Sequence, residues 1–206
     1  MPPYFSVYFS FPYSSFSSTF VDEIYQVCFK HFPYKSGYWM SEKNTLDEII
    51  NWNSGLLAKK FKLGFDQHVK HDYKHILLDS TLYSHLRLFW IYQTNEITLH
   101  LIVPESDVLN DGNTSNIIPI LNLSIDLWRS HTLNVIQTYH ELGAPVSLRK
   151  ISKGSLPSSE PFSILSPSKF QQIRSTNDYI SKQIMNGVLI VQEGFEGLIN
   201  GADDFT

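Results

Sequence analysis

The chain has 206 residues, 42% hydrophobic and 14% aromatic, which is enough for one sizeable core and too apolar for a disordered protein. Its 16 Lys and Arg against 20 Asp and Glu leave a net charge of −4, which speaks against the clustered basic excess that a nucleic-acid surface requires. The single cysteine, Cys28, excludes an internal disulfide framework and a thiolate metal site, and fits a reducing compartment.

The first residues, MPPYFSVYFSFPYSSFSS, lack the basic start and continuous apolar run of a secretory leader, and no apolar run approaches the ~20 residues that cross a bilayer. The expected location is the cytoplasm. Phe5, Val7, Phe9 and Phe11 alternate with Ser6, Tyr8 and Ser10, the period-2 pattern of a half-buried strand. Thr19 with Asp22 offers a capping-box-like start to a helix carrying Phe20, Ile24, Val27 and Cys28, which ends near Phe32 and Pro33. Thr45 and Glu48 repeat that signature with better chemistry, and Leu46, Ile49, Ile50, Leu56 and Leu57 then predict a second helix to about Phe61.

Residues 64–86 fit a short helix as well as a strand. LRLFWIYQTNEITLHLIV predicts a hairpin turning at Thr94 and Asn95, because β-branched and aromatic residues fill both arms. PESDVLNDGNTSN is a polar loop, after which Ile117, Leu121, Ile125 and Trp128 line a helical stripe and HTLNVIQTYHE supplies another strand. Residues 143–161 are rich in Gly, Pro, Ser and Lys and predict a long exposed connection with one short strand at VSLRKI. Ser166 as N-cap, Pro167 at the first position and Gly187 as a stop predict a final helix with Phe170, Ile173, Asn177, Ile180 and Ile184 inward. VLIV adds a last short strand before an acidic tail at about 193–206. The whole is expected to be one α+β domain over residues 1–206, a largely antiparallel sheet with helices packed mainly on one face.

Reactive chemistry is sparse. His68, His71 and His75 would share one side of a helix and, with Asp66, Asp72 and Asp79 nearby, form the strongest metal signal, although on a strand they would not converge. YHELG begins like a zinc-protease motif, but Ala144 stands where the second histidine belongs. No phosphate-cradling glycine loop or nucleophile elbow is present, and Cys28 reads as a small buried hydrophobe. Trp39, Trp52, Trp90 and Trp128 fall mostly at structural periods and read as core. No cofactor is expected.

Charge is uneven. No Lys or Arg occurs from Leu88 through Trp128, whereas Glu96, Glu105, Asp107, Asp111 and Asp126 all do. An acidic loop of this kind would attract a basic protein partner and speed its association. Glu105, Asp107 and Asp111 are the expected partner contacts.

FSILSPSKFQQIRSTNDYI, with Phe162, Ser163, Ser166, Pro167, Phe170 and Asn177, resembles the carboxy-terminal element of the immunity protein 52 family of bacterial polymorphic toxin and type VI secretion systems. The alternating first strand, the stretch YWMSEKNTLDEII and a helix ending at Trp128 before LNVIQTY follow a similar order; GAPVSLRKISKGSLP replaces the Gly-Trp-aromatic strand common in the family. The resemblance implies a non-enzymatic, stoichiometric inhibitor of a cognate toxin, often a nuclease of restriction-endonuclease fold. The charge balance and the lack of a long apolar run predict no direct contact with nucleic acid or membrane. Two other readings stay open: a metal-dependent enzyme or ligand-binding protein built on His68, His71 and His75, and a structural or adaptor protein.

Overall fold

The computed structural model describes residues 3–38, 44–62, 71–109 and 114–202. Alternation in the first segment sets the strand but not its burial: β1 (Tyr4–Pro12) directs Phe5, Val7, Phe9 and Phe11 into a fully buried row, and Ser6, Tyr8 and Ser10 on its other face are buried as well, so it is not the half-buried strand expected. Among the described residues eight further strands follow, β2 (Tyr34–Gly37), β3 (Ile76–Leu78), β4 (Leu86–Gln93), β5 (Glu96–Pro104), β6 (Val135–Tyr139), β7 (Phe162–Leu165), β8 (Tyr179–Ile184) and β9 (Gly187–Gln192). They form one sheet in the order β2-β3-β4-β5-β1-β6-β7-β9-β8, with every ladder antiparallel. The predicted β4–β5 hairpin turns at Thr94 and Asn95, where Asn95 adopts the left-handed φ of 61° that Asn tolerates.

Three long helices, α1 (Phe20–His31), α2 (Leu46–Ala58) and α4 (Ile118–Ser130), cover the face made by the Phe5 row, Leu88, Trp90, Leu99 and Leu101. The fold is therefore α+β with its helices mainly on one face, and each fully buried large side chain there contributes ~1.5–3 kcal/mol. A buried polar link ties the layers together: the Tyr25 hydroxyl accepts from Trp90 Nε1 at 2.9 Å and from Asn53 Nδ2 at 3.3 Å. α2 begins with the expected capping box, Glu48 N to Thr45 Oγ1 at 3.3 Å and Thr45 N to Glu48 Oε2 at 2.8 Å. α1 does not, because the Thr19 hydroxyl donates to Glu23 Oε1 at 2.7 Å instead of accepting from an amide.

Two expectations are corrected in the last third of the chain. The helix predicted from Ser166 is a single turn, α6 (Pro167–Phe170), and Ile180 and Ile184 belong to β8, where Ile180 pairs with Val191. A spacing of four satisfies both the helical and the strand period, and the strand wins because β9 offers a partner while Arg174, Ser175, Thr176 and Asn177 are mostly poor helix formers. Gly187 ends no helix: it opens β9 where the Trp128 indole lies so close that a Cβ would sit 2.5 Å from Nε1.

The connection 143–161 is not simply exposed, and its VSLRKI segment holds a helical turn, α5 (Leu148–Ile151), in place of a strand. It runs over the second sheet face at β6, β7 and β9, where Ile151 is buried with Val135, Leu165, Val188 and Ile190. The buried Gln137 side chain holds it there like a strand neighbour, Nε2 donating to Val146 O at 3.0 Å and Oε1 accepting from Val146 N and Ser158 N, both at 2.9 Å. Among the described residues no helix is long and apolar enough to cross a membrane.

Candidate functional site

The remaining part of the second face, over β3, β4, β5 and β1, carries no long helix among the described residues. Outward positions on a solvated sheet face are ordinarily polar. Here they form a row of rings, one per strand, that follows the register: Tyr38 just beyond β2 lies opposite His75, His75 beside Phe89, Phe89 opposite His100 and His100 opposite Tyr8. Successive ring centres are 5.7, 4.6, 5.0 and 4.9 Å apart. Those spacings match the ~4.8 Å between strands, and the rings meet at mixed angles: His75 stacks on Phe89 at 21° and Tyr38 leans on His75 at 32°, whereas His100 meets Phe89 at 57° and Tyr8 nearly edge-on at 67°. Tyr8 is buried and closes the row through its hydroxyl, which donates to Glu96 Oε1 at 2.7 Å; Tyr38, His75, Phe89 and His100 are half-buried.

Burial shapes the chemistry of the row. It lowers His75 and His100 to about 4, with Arg87 adding to the effect on His75, so both imidazoles are neutral at pH 7. His100 Nε2 is buried with no hydrogen-bond partner. Burial also raises the Tyr8 hydroxyl far above its ordinary value.

Beside the row stands Arg87, with its guanidinium carbon 4.5 Å from the Tyr38 ring centre, 5.6 Å from Phe89 and 5.9 Å from Tyr4. A cleft of about 430 Å³ opens at the same end of the sheet, lined by Lys35, Ser80, Thr81, Ser84, His85 and Asp107 among others. His85 packs edge-on against Tyr38 at 6.0 Å, and burial together with Arg87 and Lys35 lowers its pKa.

The expected partner contacts lie at the rim of this region, on the short helix α3 (Glu105–Val108) that follows β5. Asp107 Oδ2 accepts from Ser84 N at 2.7 Å and Ser84 Oγ at 2.6 Å, fastening the β3–β4 loop. Glu105 Oε1 accepts from Glu141 N at 2.7 Å and lies 3.4 Å from His140 Nδ1, while Glu141 Oε2 accepts from Tyr4 N at 2.9 Å. Two of the three acids therefore brace strand ends; Asp111 lies outside the described residues.

Of the histidine cluster, His68 also lies outside the described residues. His71 is exposed and His75 belongs to the ring row. Among the described residues no three His, Cys, Asp or Glu side chains gather as a metal site. Cys28 is buried and its thiol is pushed up to about 12, so it is a poor nucleophile. His31 Nε2 meets Asp126 Oδ2 at 2.8 Å, joining α1 to α4.

Tyr38, Phe89, Arg87 and His100 are absent from the sequence reading because each looks ordinary alone. Their one signal is that the outward register of β4 and β5 holds Arg, Phe, Ile and His where Ser, Thr or Lys is usual. No protein-family model, curated protein or solved structure matches this chain.

Proposed function

We propose that the protein is a cytoplasmic immunity protein that neutralises a toxin of its own cell by stoichiometric binding, without chemistry of its own. The observation that carries this reading is the ring row with Arg87 on the helix-free part of the sheet. The helical layer holds the main core, so these half-exposed rings are surplus to it, and Tyr with Arg is the composition that anchors protein interfaces. His75 and Phe89 cover each other's faces at 4.6 Å and His100 packs at an angle against Phe89, so ring faces are taken up within the row instead of being left for the stacking of bases. Glu105 and Asp107 at the rim add a negative field that steers a basic partner, such as a nuclease whose cleft binds phosphate. The resemblance of the Phe162–Ile180 segment to immunity protein 52 supplies the toxin class.

Co-expression tests the reading. The product of the adjacent reading frame should be lethal alone and harmless with this protein, and the two should purify together. Lethality undiminished at equal expression, with no complex, would sink it.

A further inference from the structure

Arg87 has rings against its guanidinium and a buried Nε–H that nothing accepts. Tyr38, Phe89 and Tyr4 surround the guanidinium at 4.5 to 5.9 Å. Among the described residues no carboxylate lies within ion-pair distance of it, and its Nε is buried with no hydrogen-bond partner. Rings satisfy the faces of a guanidinium but leave its five N–H donors unpaired, and a partly buried cation is ordinarily paired. The counterpart that a cation lacks is an anion.

The surroundings specify the kind of anion. One guanidinium on an open sheet face offers a small free ion few donors and no enclosure. The half-exposed Tyr4, Tyr38 and Phe89 around it instead form a rim that sheds water when a protein docks, the setting in which a central Arg dominates binding. The rim acids Glu105 and Asp107 disfavour a polyanion such as nucleic acid. A planar carboxylate matches the guanidinium fork with two parallel hydrogen bonds. We infer that Arg87 is the anchor of the partner interface and receives an Asp or Glu side chain of the docking protein. This rests on the binding-protein reading above.

The test has two arms. The chain holds four arginines, so Arg87 Nε–H can be assigned by its disappearance from the NMR spectrum of Arg87→Lys. A short peptide with Glu between two apolar residues should shift that signal saturably at millimolar concentration, and the Gln version should not. An unmoved signal, an equal response to the Gln peptide, or inorganic phosphate binding as tightly as the Glu peptide would each overturn the assignment, the last by making it a small-ion site. In the second arm, Arg87→Gln should weaken the complex with the co-purifying partner at least tenfold while leaving the ring signals of His100 and Phe89 in place. Unchanged affinity overturns the inference and leaves the binding reading intact. If no partner co-purifies, the binding reading fails while the peptide arm still decides the chemistry of Arg87.

Discussion

Lowering the pH from 7.5 to 5.0 should destabilise the fold through the two imidazoles of the ring row. Burial holds His75 and His100 at about 4 in the folded protein. In the unfolded chain both return to ~6.5. Because the folded values are depressed, the unfolded state takes up protons first, so this stability is complete above about pH 6.5 and is lost as the pH falls toward 4. At pH 5.0 linkage gives ~2 kcal/mol for each ring, and the partial solvent contact of both widens the expected loss for the pair to ~2–4 kcal/mol. That is a large part of a domain stability of ~5–15 kcal/mol. Urea unfolding at the two pH values measures it directly. The double variant His75→Phe, His100→Phe keeps a ring at each place and cannot titrate. Its loss on acidification should be smaller than that of the parent by this amount, and comparing pH effects removes any packing change common to both conditions. Equal losses in the two proteins would refute the reasoning.

Three further outcomes follow from the packing. Tyr25→Phe removes the acceptor of Trp90 Nε1 in a buried setting and should cost ~1–3 kcal/mol in chemical denaturation, whereas Asn53 keeps its bond to Lys74 O. Gly187→Ala drives a Cβ against the Trp128 indole and should cost ~1–3 kcal/mol, with a changed tryptophan emission; a neutral result would mean that Trp128 does not pack there. Gln137→Leu removes the bonds that hold Val146 and Ser158, so trypsin should cut faster at Arg149, Lys150 and Lys153, and an unchanged cleavage rate would show that Gln137 does not hold that segment.

Much of the helical layer and its sheet face was legible because one period governed each element. β1 alternates strictly, the Thr45 and Glu48 pair closes its box, and the Thr94–Asn95 turn separates two apolar arms of matching character. The last third was misread where two periods coincide: Ile180 and Ile184 suit a helix and a strand alike, and only the pairing with β9, a tertiary fact, decides between them. The connection 143–161 has a loop composition, yet it is pinned by the buried Gln137 amide and by the Thr138 backbone, which nothing in its local sequence marks. The candidate site was harder still. Tyr38, His75, Phe89, His100 and Tyr8 are scattered over nearly a hundred positions and meet only through strand order, so no spacing rule links them. Glu105 and Asp107 were visible as charge, but their role in bracing Ser84 and Glu141 depends on where the strands end.

The central claim is that this chain acts by direct, stoichiometric contact through the helix-free part of its sheet. Calorimetric titration of the purified chain with the product of the adjacent reading frame tests it most directly, using the parent and the double variant Arg87→Glu, Ile91→Glu, whose side chains both point outward from β4 and leave the core untouched. The account predicts a one-to-one complex for the parent and an affinity at least ~100-fold weaker for the variant, as expected when an interface anchor is reversed in charge. A variant that binds as tightly as the parent, or a parent that gives no heat and no complex, would contradict it.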